Sequence, residues 1–118
     1  MTLVDTSVWI DHFLNGNERL DALLCNGEVV CHPFVLGELA LGTMPERRTI
    51  LRELRELGPV EVATDEEVMG TIESLQLHGR GIGWVDSHLL VSALLSGTYL
   101  FTLDHKLRSV ANELGLLA

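Results

Sequence analysis

The stretch Leu3-Val4-Asp5-Thr6-Ser7-Val8-Trp9 decides how the chain is read. A short apolar run stops at a carboxylate, and two hydroxyl residues and a second apolar segment follow at once. The pattern predicts a strand from about Thr2 to Asp5 and a helix that begins at Thr6 or Ser7. In an open parallel sheet, ligands sit in the crevice beyond the carboxyl ends of the strands. Asp5 is expected at that edge, and the question is which other acids stand there with it.

Three share its setting. Asp104 closes Tyr99-Leu100-Phe101-Thr102-Leu103-Asp104, another apolar run that ends in an acid. Asp86 lies in Gly83-Trp84-Val85-Asp86-Ser87, just ahead of the apolar segment His88 to Leu95. Glu38 lies within Pro33-Phe34-Val35-Leu36-Gly37-Glu38-Leu39-Ala40, after the run Val29-Val30-Cys31. An acid in such a helix is costly to bury unless something pairs with it. The four are distant in sequence, so only a fold can bring them together.

Between these acids, short apolar runs alternate with helical patterns. Asn17 is placed to cap a helix carrying Leu20, Leu23 and Leu24, and Gly27 to stop it. Glu28 to His32 reads as a strand, and Pro33 as the first-turn residue of the helix that holds Glu38. Thr43 and Glu46 fit a capping box for a helix with Ile50, Leu51, Leu54 and Leu57 on one face, ended by Gly58-Pro59. Val60 to Ala63 reads as a third strand. Thr64 and Glu67 fit a second box, for a helix with Val68, Ile72 and Leu75 inward and Gly79 at its end. The segment after Asp86 is apolar nearly all round and is expected to be buried. Thr98 to Leu103 reads as a fourth strand, followed by a last helix and a short fifth strand at Leu116-Leu117. Strand–helix alternation of this kind means an α/β fold, a parallel sheet of four or five strands covered by helices on both faces.

Length and composition fit one globular domain over residues 1–118, with 47% apolar and 21% charged residues. No apolar run is long enough to span a bilayer, and the first residues carry no basic flank or cleavage pattern. Cys25 and Cys31 form no Cys-x-x-Cys and read as reduced packing residues. Together these features place the expectation in the cytoplasm. The net charge of −9 opposes broad nucleic-acid binding. Yet Arg47, Arg48, Arg52 and Arg55, half of the eight basic residues, fall in one helix. They are either a solvated face, interleaved with Glu46, Glu53 and Glu56, or a docking surface for phosphates, in which Arg48 and Arg52 are the candidates.

Two unit charges about 4 Å apart repel by roughly 4 kcal/mol at an effective dielectric near 20. Three or four carboxylates in one crevice would therefore protonate, spread apart or bind a cation. All-oxygen ligands select hard divalent ions such as Mg²⁺, Mn²⁺ or Ca²⁺. A metal with bound water beside a phosphodiester suits hydrolysis of that bond. The competing reading is local, since Asp5, Asp86 and Asp104 all lie where helices start and Asp is a favoured cap. Caps alone do not explain why three of them end apolar strands or adjoin an apolar helix.

The order Leu3-Val4-Asp5-Thr6-Ser7-Val8-Trp9, Gly37-Glu38-Leu39, Asp86-Ser87-His88-Leu89-Leu90-Val91-Ser92-Ala93 and Thr102-Leu103-Asp104-His105-Lys106-Leu107 resembles the four acidic motifs of PIN-domain proteins. The match spans essentially the whole chain, and the short length is similar to the VapC-type toxins of toxin–antitoxin pairs. The resemblance implies a Mg²⁺- or Mn²⁺-dependent endoribonuclease, a homodimer, held inactive by a cognate antitoxin protein. It implies that Asp5, Asp86 and Asp104 are metal residues, with Glu38 the fourth acid of the catalytic set. Thr6 and Thr102 would orient carboxylates or water. The acidity of the chain departs from what an RNA-binding enzyme is expected to show and leaves the RNA groove undefined.

Two other readings stay within the same fold: an RNA-processing nuclease without an antitoxin, and a catalytically silent fold used for protein binding. An adjoining gene for a small DNA-binding protein separates the first from a toxin, and the presence of all four acids opposes the second. A dehalogenase-type phosphatase also begins with a strand that ends in Asp, but Ser7 stands where its second Asp is needed. His88 and His105 lie close to site acids, with no Cys or His cluster to complete a zinc site. Trp9 and Trp84 follow apolar neighbours and read as core or dimer packing rather than base-stacking platforms.

Overall fold

The computed structural model describes all of Met1–Ala118. In chain order the elements are β1 (Thr2–Val4), α1 (Thr6–Asn15), α2 (Glu18–Cys25), β2 (Val29–Cys31), α3 (Pro33–Leu41), α4 (Arg47–Arg55), β3 (Gly58–Pro59), α5 (Asp65–Ser74), α6 (Trp84–Ser96), β4 (Tyr99–Phe101) and α7 (His105–Glu113). The strands form one parallel sheet in the order β3-β2-β1-β4. Successive residues of a strand point to opposite faces. Thr2, Leu3 and Val4 are all buried, so β1 is covered on both sides, as expected of a parallel sheet between helical layers. From β1 the chain moves to β2 and β3 on one side and returns to β4 on the other. The switch point, and with it the crevice, therefore lies at the carboxyl ends of β1 and β4.

The apolar segment after Asp86 is the core helix. Every residue of α6 from Ser87 to Ala93 is buried. Two of its hydroxyls also explain the third strand. Val60 to Ala63, expected to be that strand, is not one: Ser96 Oγ accepts from Glu61 N (2.8 Å) and Ser92 Oγ from Ala63 N (3.1 Å). The strand is instead Gly58–Pro59, paired with Val30 and Cys31. Pro59 has no N–H to donate, and an edge strand is where a proline fits.

Two helix ends also differ from expectation. Thr43 and Glu46 do not form a capping box. Pro45 disfavours a helical residue before it, Glu46 is left-handed (φ 54°) with no side-chain cap, and α4 starts at Arg47. Arg47 Nε reaches back to the carbonyl of Ala40 (3.0 Å) and satisfies the end of α3. The Thr64–Glu67 box is present, with both reciprocal bonds made. Its helix stops at Ser74 and not near Gly79. Gln76 N–H bonds to Glu73 O (3.3 Å) and Leu77 N–H to Ile72 O (3.0 Å), a Schellman end. The left-handed residue there is Gln76 (φ 53°), so no glycine marks the stop. Leu77 consequently enters the core while Leu75 is 41% exposed.

Helix α1 buries Val8 and Trp9 but leaves Ile10 and Leu14 at 47% and 76% exposure. The expected fifth strand reduces to a single bridge, Leu100 to Leu117, beside β4. No helix is long and apolar enough to cross a membrane.

Candidate active site

The register of β1 and β4 builds the crevice. Val4 pairs with Phe101, so the next residues, Asp5 and Thr102, leave the sheet side by side. Thr102 Oγ1 donates to Asp5 Oδ2 at 2.8 Å, and Ser7 Oγ donates to the same oxygen at 2.9 Å. Asp5 stands at the cap position of α1, yet its side chain makes no cap bond. A cap would have turned the carboxylate onto its own helix; two hydroxyls hold it toward the crevice instead. The hydroxyls are themselves anchored, for Thr102 Oγ1 accepts from Asp104 N (3.1 Å) and Ser7 Oγ from Leu103 N (3.1 Å). This closed network ties the end of β1 to the turn after β4.

Asp104 does cap. Its Oδ1 accepts from Leu107 N at 2.9 Å, which leaves one carboxylate oxygen outside that bond. Asp86 differs from expectation in position: α6 begins two residues before it, so it lies in the first helical turn rather than ahead of the helix. Its Oδ2 faces back to Gly83 N at 3.4 Å. Glu38 is exposed, so the cost of burying a carboxylate in this apolar helix is avoided. Its Oε1 accepts from Thr6 Oγ1 at 2.9 Å, which holds α3 to the head of α1.

The Asp86 carboxyl is pushed above its usual range, chiefly by burial, against the opposing bond from Gly83 N–H; repulsion from Asp5, Asp104 and Glu38 adds to the rise. No Lys or Arg neutralises the cluster, because the one ion pair a Lys or Arg makes is Arg80–Glu113. No three His, Cys, Asp or Glu side chains are grouped closely enough to clasp a bare ion. The donors that face the crevice are oxygens, a set that suits a hard divalent ion retaining part of its water shell.

Neither histidine near the acids joins them. His88 is buried on α6 with Nε2 3.1 Å from Asp65 Oδ1, and His105 opens α7 in solvent. Trp9 is in the core, stacked on Phe13, whereas Trp84 is 44% exposed and lies edge-on to His88. Arg48, Arg52 and Arg55 are exposed, and none pairs with Glu46, Glu53 or Glu56. Arg47 is engaged with Ala40 and is not part of that free face.

Two structural roles lie outside the residues expected from the sequence, those of Ser7 and His32. Ser7 follows Asp5 by two residues, the reach of a hydroxyl that bonds back to a preceding carboxylate, so spacing alone could have found it. His32 is fully buried and its Nδ1 accepts from Phe34 N at 2.9 Å, capping α3. Burial, with a contribution from His88, lowers its pKa to about 4. A histidine before a proline gives no such signal, since the usual caps are Ser, Thr, Asp and Asn.

Residues 2–113 match the family model of the PIN domain. The chain is 44% identical over 117 residues to Ribonuclease VapC32 of Mycobacterium tuberculosis strain CDC 1551 / Oshkosh, covering 98% of this chain and 94% of that protein. The same identity and coverage hold against Ribonuclease VapC32 of strain H37Rv. On these matches, and with its four-stranded parallel sheet, the chain belongs to the PIN-domain family, in its VapC group.

Proposed function

We propose that this chain is a metal-dependent endoribonuclease that hydrolyses RNA phosphodiester bonds and acts as the toxin of a toxin–antitoxin pair. One observation carries the proposal: four carboxylates from β1, α3, α6 and the β4–α7 turn face one crevice, repel one another at Asp86 and have no cation among them. The likeness to proteins named Ribonuclease VapC32 supports the substrate class and the toxin role.

Asp5, Asp86 and Asp104 are assigned to hold Mg²⁺ or Mn²⁺, directly or through water, with Glu38 as the fourth acid. The bound ion supplies Lewis acidity and a more acidic water. The chain supplies placement. Thr102 and Ser7 fix Asp5 in one rotamer, and Thr6 holds Glu38 toward the shared crevice. Glu38, exposed to solvent, is placed to orient an incoming water. Asp86, whose charged form is disfavoured by burial and by the neighbouring acids, would gain from a cation beside it. Arg48 and Arg52, exposed and unpaired, are assigned to more distant RNA backbone contacts.

The homodimer and the antitoxin belong to the same proposal, as does a cytoplasmic location for a chain whose two cysteines are free. Ile10 and Leu14 line an apolar groove of about 250 Å³ with Phe13, Leu39 and Met44, a surface a second polypeptide would cover. Light scattering at micromolar concentration should show a dimer; a monomer there refutes that part.

The site is tested by Asp5→Asn and Asp86→Asn. Each should abolish RNA cleavage while retaining the wild-type circular dichroism spectrum. Wild-type cleavage by Asp86→Asn would place the active site elsewhere.

A further inference from the structure

The loop between α5 and α6 contains Gly79, Gly81 and Gly83, and it touches the crevice at Gly83, whose N–H meets Asp86. Gly81 is in the left-handed region (φ 79°), and a Cβ on it would stand 2.7 Å from Lys106 Cδ and 2.9 Å from Nζ. The Lys106 stem therefore lies across the bare backbone of Gly81, in space that any side chain there would fill. The next residue back, Arg80, forks onto Glu113 with bonds of 3.1 and 2.9 Å. Two adjacent residues of the loop thus meet α7, one through a neutralised guanidinium and one under the Lys106 stem.

The two cations differ in what they are free to do. Arg80 is paired with a carboxylate, whereas Lys106 has none within ion-pair distance. Helix energetics do not explain its place either. Lys106 is the second residue of α7, at the positive end of the helix dipole, where a cation is disfavoured. It is exposed and two residues from Asp104, and the loop its stem lies on reaches Asp86 through Gly83 N–H.

We infer that Lys106 binds a backbone phosphate of the RNA strand at the mouth of the acidic crevice, with Gly81 left bare so that its stem can lie there. This rests on the ribonuclease reading above. A point charge held beside, and not within, four carboxylates offsets their repulsion of the incoming phosphodiester without occupying the cation position. It provides a contact that is blind to sequence and fixes where the strand enters.

The test separates binding from cleavage. A fluorescent RNA oligonucleotide is titrated by anisotropy from 50 to 300 mM KCl in EDTA, where the metal-dependent cleavage does not run. In Lys106→Met the Kd should rise several-fold at low salt. The slope of log Kd against log salt should flatten by about 0.7, the value per phosphate contact on a single strand. Lys106→Arg should retain the wild-type slope, and Mn²⁺ affinity by calorimetry should not change in either variant. In cleavage of the same oligonucleotide with Mn²⁺ present, KM should follow Kd while kcat stays within about twofold. A wild-type Kd and slope in Lys106→Met overturn the inference, as does a fall in kcat at unchanged KM. A wild type that binds RNA but never cuts it overturns the ribonuclease reading and leaves the Lys106 contact standing.

Discussion

Thr102→Val tests whether the crevice is held open by hydroxyl groups. Thr102 is fully buried, and its Oγ1 both donates to Asp5 Oδ2 (2.8 Å) and accepts from Asp104 N (3.1 Å). Valine has the same shape without the oxygen. The lost bond to an ionised carboxylate contributes about 1.5–3 kcal/mol. Asp104 is exposed, so water can take up its freed N–H. Asp5 keeps the Ser7 bond and is not stranded, which holds the cost toward the lower part of that range. The net expectation is a loss of about 2 kcal/mol, or roughly 6–10 °C in Tm for a domain of this size. Urea melts should show a lower midpoint with an unchanged m-value. Thr102→Ser keeps the oxygen and should lose less than half as much. Mn²⁺ affinity should fall in the valine variant, because one of the two hydroxyls orienting Asp5 is gone. A valine variant as stable as wild type, or a serine variant destabilised equally, refutes the reasoning.

Three further outcomes are expected. Without added metal, Asp86→Asn should melt above wild type at pH 7. The folded chain holds its Asp86 proton to higher pH than the unfolded chain does, so wild type loses stability as pH rises through that window. The advantage should vanish below about pH 4, where the carboxyl is protonated in both states; a constant difference at all pH values contradicts this. Glu38→Gln should lose most activity at low Mn²⁺ and recover part of it at high Mn²⁺, while equal loss throughout points to acid–base work by Glu38. His32 has a folded pKa of about 4, so wild type should lose stability as pH falls from about 6.5 toward 4, by up to about 3 kcal/mol at 1.36 kcal/mol per unit. His32→Asn keeps a cap acceptor for Phe34 N but does not titrate, and its stability should vary less over that range in urea melts; equal slopes contradict the assignment.

Much of the fold was legible because periodicity and caps carry it. The apolar run after Asp86 is the core helix, and the Thr64–Glu67 box opens the helix before it, as their patterns predict. What was hidden has physical causes. Gly58-Pro59 looks like a terminator, and it forms a strand because an edge position tolerates a missing donor. The end of α5 has Gln76 where a glycine usually stands, so the stop is invisible until Leu77 is seen in the core. Acids at strand ends announced the crevice, but their environments did not show. Asp5 and Asp104 occupy the same kind of cap position, yet only Asp104 uses it, and the difference lies in Thr102, 97 residues from Asp5. Lys106 stands out in the sequence only as a cation beside Asp104, and its contact with Gly81 exists only once α7 packs against the loop.

The central claim is that these four acids bind a divalent ion and cut RNA. The most direct measurement incubates the purified protein with total tRNA and ribosomal RNA in Mn²⁺, Mg²⁺ or EDTA, beside Asp5→Asn as control. Discrete fragments should form with wild type in at least one of the two metals and in neither EDTA nor the variant. Cleavage that persists in EDTA, or equal cleavage by Asp5→Asn, would contradict the claim.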